Sequence, residues 1–546
     1  MGNAATAPAG SRRSRVSSTA GRPTVALVLL VVLAITPLLV AIVHLLVTVP
    51  ASWPSEGDIA LIERHVRGIP GTLPLLGPYS RFGWNHPGPL LYYVLAIPYR
   101  LLGSHSVDLF VGALLVNAAA VAGIVVVAFR AGGRRLALGA TTLLLIVMHA
   151  LGPEFLRSPW NPDLALLPFA LFIVLIGLAA TGSGGALVTA AAVGTFVVQC
   201  HAGYALIVLS VGACGTVGWA LARHARRDDP GTKRKTIVTV AVGVGVLFVL
   251  WLPPLVQQFT GDRPNLSALA RYSLDHPSDH SAHDVAEALA DQFDWRAEWY
   301  AGNHGFNPIL GEIDLSRPLP FPVWLLPFAA GIVVVVRRRR RTERWWYGSL
   351  LVALGAAAAS LYGMEGFFYP YVVHWRLPIG ALVSATGVAT LWSLLTPEHR
   401  VRFLRVGVPA TLALAVLFAG AATVDAVQAD RPAAAVAGPI AASRDAILDA
   451  IPPTGGPVLV QFLGSITAGG YEMGLITELE KHGIPVAVRA SDQSWYEDPP
   501  PTVTGTTPRA TVTIVDTESF DNGSVERPPG EIVARTPTVT VFVAPS

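Results

Sequence analysis

Charged residues are scarce in this chain. Only 14% of its 546 residues are Asp, Glu, Lys or Arg, against about a quarter in an ordinary soluble domain. Cysteine is scarcer still. Cys200 and Cys214 are the only two, and both fall inside apolar runs, which argues against a disulfide framework. The net charge of +3 comes without a broad basic face, so nucleic acid is not expected as a partner. The nucleotide-binding fingerprint is also missing, because "GSITAGG" at 464–470 lacks the G-x-G-x-x-G spacing. No internal repeat marks a transporter built from two similar halves. No cluster has metal-ligand spacing. No metal site is therefore assigned, and a divalent cation stays open as a cofactor.

What the chain has instead is long apolar runs, with a mean hydropathy of +0.51. A helix needs roughly 20 apolar residues to cross the hydrocarbon core. Runs near that length start close to Val25, Val107, Leu136, Leu164, Ala186, Ala202, Ile237, Phe321, Tyr347, Leu377 and Val406, which predicts about 11 spans. The first run follows Arg12, Arg13, Arg15 and Arg22. It is longer than the apolar core of a cleaved secretory signal, so it reads as a retained anchor with the N-terminus in the cytoplasm.

The basic residues support that register. Arg130, Arg134 and Arg135 share one side with Arg223, Arg226, Arg227, Lys233, Arg234 and Lys235. The run Arg337–Arg341 with Arg344, and the trio Arg400, Arg402 and Arg405, fall there too. The run Arg337–Arg341 reads as a topology determinant and nothing more. The other side receives long loops at 51–106 and 260–320, rich in Trp, Tyr, Pro and His. One segment, 89–102 ("PLLYYVLAIPYRLL"), is too short to span and is expected to lie at the interface, where tyrosine belongs.

Beyond the last span the composition changes. Residues 432–453 are Ala/Pro-rich, "GPVLVQFLG" and "IPVAVRA" read as strands, and "GGYEMGLITELEKHG" between them reads as a helix. Alternations at 510–515 and 538–543 could add strands. The expected fold class is therefore an α-helical polytopic membrane protein with a small C-terminal extracytoplasmic α/β domain. Its parts are a basic cytoplasmic N-terminus (1–24), a membrane domain (25–428) and an outer α/β domain (429–546), in a plasma membrane.

The most informative stretch is the first outer loop, "PSEGDIALIERHVRG" followed by "YSRFGWNHPGPLLYYVLAIPYRLLG". A mere connector would be short and polar. Here an acidic pair, Glu56 and Asp58, follows the first span at once, and a Trp-Asn-His-Pro platform comes behind it. A bland account of each residue stands beside the functional one. Asp58 would serve as the N-cap of the helix that follows. Asp163, after Asn161 and Pro162, would start the fourth span. Turn structure alone explains Asn85 and Pro87. His201, at the end of an apolar run, suits either a functional group or a neutral imidazole bonded to a neighbouring carbonyl. Arg376 beside Trp375 suits an interface anchor. Asp291, Asp294 and Glu298 read as one solvated helix face.

The arrangement resembles the first outer loop of the GT-C membrane glycosyltransferases, the protein mannosyltransferase and lipid-A aminoarabinose transferase relatives. In that superfamily an acid just after the first span is followed by a surface helix and then a Pro-Pro-Leu-Tyr-Tyr-like segment. Asp58 matches the acid, and "HPGPLLYY", with Tyr92, matches the segment. His86 or Asn85 stands where the family often has lysine. "SPWNPDLALLPFALFIVLIG" is similar to the second outer loop and fourth span, with Asp163 at the second acid. "HWRLPIGAL" is similar to the late Arg-Tyr-x-x-Pro segment, with Arg376 at the arginine. The likeness covers roughly residues 25–395.

The resemblance implies an inverting glycosyltransferase that moves a sugar from a polyprenyl-phosphate donor to a glycan, glycolipid or protein acceptor on the outer membrane face. The Ala-, Val-, Gly- and Arg-rich composition is of an actinobacterial type, which would suit a decaprenyl-phosphate sugar. Such chemistry needs a base for the acceptor hydroxyl and cationic or hydrogen-bonding groups for the departing phosphate. Asp58 is the candidate base, with Asp163 as second catalytic acid. Glu56, Asn85, His86, Tyr92, His201, His374 and Arg376 are candidate substrate contacts. Two other readings compete. A lipid or glycan transporter or flippase would need coupling acids within spans, and few are present. A non-catalytic partner in envelope assembly could use the same fold.

Overall fold

The computed structural model describes residues 21–80, 82–228, 230–275, 280–302, 321–464, 466–489 and 507–546. Arg12, Arg13 and Arg15, with residues 276–279 and 303–320 of the second long loop, lie outside the described residues.

Every segment expected to cross the membrane is helical. The first is α1 (Gly21–Thr48), followed by two short helices, α2 (Gly57–Gly68) and α3 (Leu90–Leu102). Next come α4 (Ser106–Arg157), α5 (Asn161–Leu164), α6 (Leu166–Ala179), α7 (Gly184–Cys200), α8 (Ala205–His224) and α9 (Pro230–Thr260). Three short helices, α10 (Asn265–Asp275), α11 (Ala282–Ala290) and α12 (Glu298–Ala301), belong to the second long loop. The last long helices are α13 (Leu325–Arg338), α14 (Arg341–Tyr362), α15 (Arg376–Trp392) and α16 (Pro397–Gln428). Among the described residues seven helices are long and apolar enough to cross a membrane. The chain is a multi-pass membrane protein.

The 52-residue α4 is two arms, not one rod. Straight, it would run about 78 Å, more than twice the roughly 30 Å of a hydrocarbon core. Gly133, at φ 69°, breaks it, in a backbone region where only glycine sits without strain. The arms then fold back on each other, so that Asn117 donates to the Leu156 carbonyl at 2.8 Å. This accounts for the two spans expected from Val107 and Leu136.

The arginine clusters gather at one end of the bundle. Gly182, in the α6–α7 turn, lies against the Arg226 guanidinium beyond α8. Arg338 donates to the Ser393 carbonyl at 2.9 Å and Arg400 to that of Leu395 at 2.7 Å. Those carbonyls follow α15, where helix-end acceptors lack intrahelical donors. The run Arg337–Arg341 therefore also does structural work, contrary to the expectation that it sets topology alone.

Two further expectations need correction. Of the α3 tyrosines expected to face an interface, Tyr92 and Tyr99 are instead buried against neighbouring helices. The acids of the second loop do not share a helix face either. The helix α11 ends at Ala290, and Glu298 begins the separate α12.

Among the described residues the tail forms a five-stranded sheet in the order β2-β1-β3-β5-β4. Strands β1 (Val458–Leu463), β2 (Val486–Ala487) and β3 (Ala510–Asp516) are parallel, and β5 (Val539–Pro545) and β4 (Glu531–Arg535) add antiparallel. Four of these match expected strands, while β4 was not expected. The Ala/Pro-rich stretch, to which no element was assigned, carries a helix, α17 (Ala434–Ala450), with Pro439 inside it. The expected tail helix is α18 (Ile466–Lys481), and α19 (Thr517–Asp521) completes the unit. Leu61 of α2 is buried in the core of this sheet, so the first outer loop and the tail share packing.

Candidate active site

The site is built where the chain leaves α1. Gly57 has φ +48°, a left-handed turn that starts α2 immediately after the first span. Glu56 takes the N-cap position but makes no side-chain cap bond, and Asp58 sits in the first turn. Asp58 is thus not the N-cap. Its carboxylate Oδ2 instead accepts a hydrogen bond from Trp160 Nε1 at 2.9 Å. Trp160 in turn packs on Tyr371, with ring centroids 5.1 Å apart.

Trp160 also begins the segment that carries Asp163, on the short helix α5. Asp163 Oδ1 lies 3.4 Å from His374 Nδ1, an ion-pair distance whose geometry makes no hydrogen bond, and both atoms are buried. Tyr204 belongs to the same neighbourhood, with its hydroxyl buried and unbonded. Its ring stands edge-on to His201 at 6.1 Å. His201 lies 4.7 Å, centroid to centroid, from His86. Five separate chain segments thus bring Asp58, Trp160, Asp163, His374, His201, Tyr204 and His86 to the end of the bundle opposite the arginine clusters.

A tightly braced loop holds His86. Tyr79 and Asn85 form an antiparallel bridge. Asn265 at the start of α10 grips the Asn85 backbone twice, accepting from its N–H at 2.7 Å and donating to its carbonyl at 2.9 Å. Behind it, the fully buried Gln199 accepts from Leu90 N–H at 3.3 Å and donates to the Leu250 carbonyl at 2.9 Å, joining α3, α7 and α9.

Three sequence candidates have protein partners of their own. The Asn85 side chain donates to the Gly77 carbonyl at 3.2 Å. Tyr92 stacks on His65 in the core. Arg376 is buried and donates to the Ala288 carbonyl at 3.0 Å and to Glu298 at 2.9 Å. It latches α15 to the second outer loop. Trp160, Tyr204, Gln199 and Asn265 were not among the sequence candidates. Only Trp160 had a signal, its place in the quoted "SPWNPDLALL" motif.

Electrostatically four groups of the site, Glu56, Asp58, His86 and His201, are shifted toward neutrality. Burial, and then the Asp58 charge, push Glu56 up to about 7. Burial raises Asp58 as well, against the Trp160 hydrogen bond, which favours its anion. His86 is held well below the usual range by burial and then by His201. His201 is pushed down to about 3 by burial and then by His374. His86 Nδ1 accepts from the Ala202 N–H at 3.1 Å, and His201 Nδ1 from that of Gly203 at 3.2 Å. Each neutral ring then carries its proton on Nε2, a hydrogen-bond donor without full charge. Paired carboxylates beside imidazole N–H donors can take a proton from a hydroxyl and stabilise an oxyanion. Among the described residues no group of three or more His, Cys, Asp or Glu is placed to hold a metal ion.

No family model matches the chain, and no curated protein sequence is found as a relative. Solved structures are similar to it. The crystal structure of ArnT from Cupriavidus metallidurans bound to undecaprenyl phosphate superimposes with a TM-score of 0.53 at 14% identity, covering 96% of this chain and 98% of that one. The apo structure of the same protein gives the same values. The resemblance read from the outer-loop motifs is borne out at the level of the fold, which this chain shares with that ArnT structure.

Proposed function

We propose that this protein is an inverting glycosyltransferase, taking a sugar from a polyprenyl-phosphate donor and passing it to a cell-envelope acceptor on the outer face of the membrane. The observation that carries this reading is the convergence of Asp58, held by Trp160, with the Asp163–His374 pair and the His201–His86 pair at one end of the bundle. The fold alone would not carry it, since one fold hosts many activities. The likeness to a structure that holds undecaprenyl phosphate supports the choice of donor class.

In this reading Asp58 takes the proton of the acceptor hydroxyl as its oxygen attacks the anomeric carbon. The bond from that carbon to the phosphate oxygen breaks in the same displacement, so the anomeric configuration inverts. The departing lipid phosphate is met by Nε2–H of His86 and His201, donors fixed by the backbone bonds at their Nδ1 atoms. Arg376 is not assigned to the phosphate, because Glu298 and the Ala288 carbonyl engage its guanidinium. Asp163 and His374 form the second polar wall, against the acceptor.

The test is transfer by the purified protein in detergent. It is given radiolabelled polyprenyl-phosphate sugars one at a time with envelope glycans, glycolipids and peptides, and the anomer of each product is read by NMR. Transfer with inversion is expected for at least one pair. No transfer across a panel validated with an active enzyme of this fold would overturn the reading and favour a transport or assembly role.

A further inference from the structure

The tail reaches into the helix that carries the candidate base. Glu63, on α2, is completely buried, and a buried carboxylate is tolerated only with its oxygens satisfied. Ser55 donates to its Oε2 at 2.5 Å and Tyr99 to its Oε1 at 3.1 Å. The countercharge comes from more than 400 residues away: Lys481 Nζ, at the end of α18, lies 2.7 Å from Glu63 Oε1. An ammonium has three donors, and Lys481 uses the other two on Ser106 Oγ at 2.7 Å and Glu478 Oε1 at 3.0 Å. One side chain thus ties together α2, the start of α4 and the tail.

Around it the fit is close. A Cβ at Gly474 of α18 would stand 2.6 Å from the Ser55 carbonyl and 3.3 Å from Glu56 Cα, so only glycine allows this approach. Glu480 of α18 bridges Arg64 and Arg67 of α2 at 3.0 and 2.7 Å. Those pairs are partly exposed and so contribute little. The fully buried Glu63 makes its pair with Lys481 the decisive one. Glu63 lies five residues beyond Asp58 on the same helix, about 7.5 Å along its axis. Whatever fixes Glu63 therefore fixes where Asp58 meets Trp160.

We propose that Lys481 is a positioning residue for sugar transfer, and that the tail serves the reaction by clamping α2 so that Asp58 stays in place. The proposal rests on the glycosyltransferase reading for its effect on rate, but the clamp itself is read independently of activity.

The test uses the full chain as Lys481→Met, Lys481→Arg and the double variant Lys481→Met with Glu63→Gln, which removes both charges of the pair and leaves Glu478 paired with Arg444. In hydrogen exchange, amides of residues 58–68 should exchange at least about tenfold faster in the double variant than in wild type, with the β1–β3 core unchanged. In transfer assays its kcat should fall by about a hundredfold at unchanged donor KM, the scale of an ångström-sized misplacement. Lys481→Arg should recover most of that loss. A folded double variant with wild-type exchange over 58–68 would overturn the clamp, even if no sugar transfer is found for any form. Faster exchange with wild-type kcat would overturn its catalytic role.

Discussion

Glu56 and Asp58 sit two residues apart at the start of α2, and their environment favours the protonated form of each. Burial and the neighbouring charge raise Glu56 to about 7, and burial raises Asp58. A base must be anionic to work, so transfer should rise with pH along a limb that belongs to the pair. Glu56→Gln removes the like charge, and the limb should move to lower pH. Trp160→Phe removes the hydrogen bond that favours the Asp58 anion, and the limb should move the other way, by about one unit. Opposite displacements in pH–rate profiles of the two variants are the expected result. A shared direction would show that the limb belongs to another group. His86 and His201 should contribute no limb in the neutral range, because burial keeps both uncharged there.

Secondary elements show most clearly what could be read without coordinates. Hydrophobic run length located the long helices, because a span is a local property of about 20 residues. The same reasoning found α2, α18 and four of the five strands. It missed α17, where Pro439 lies inside a helix, and did not foresee that Tyr92 and Tyr99 of α3 are buried by packing. Asp58, Asp163, His86 and His374 were visible as motif residues, and His201 by its place at the end of an apolar run. Trp160's bond to Asp58 was not, since it joins residues 102 apart, nor was the pairing of Arg376 with Glu298. Gln199 is the extreme case: an ordinary amide in an apolar run that proves to join α3, α7 and α9. Gln199→Leu leaves the Leu90 N–H and the Leu250 carbonyl buried without that partner. It should cost about 2 kcal/mol, read as a lower midpoint in thermal unfolding in detergent. An unchanged midpoint would mean that water replaces the amide.

At the scale of the whole molecule, long-range ion pairs with a buried partner fasten the outer segments. Lys481 with Glu63 joins the tail to α2, and Arg376 with Glu298 joins the second outer loop to α15. Arg376→Met breaks the latter pair from its buried side. It should destabilise the protein by about 3 kcal/mol, and Glu298→Gln in the same chain should add much less than its separate effect. Additive losses in a double-mutant cycle would show that the two do not act together. Every polar residue assigned to chemistry lies at the end of the bundle held by these pairs, away from the arginine clusters.

The measurement that bears most directly on this account is sugar transfer by purified wild type beside Asp58→Asn, with folding of both verified. The account predicts that transfer by the variant falls by at least about a thousandfold, the upper range for losing a positioned base, while donor binding persists. Transfer that survives the substitution at the wild-type rate would contradict it.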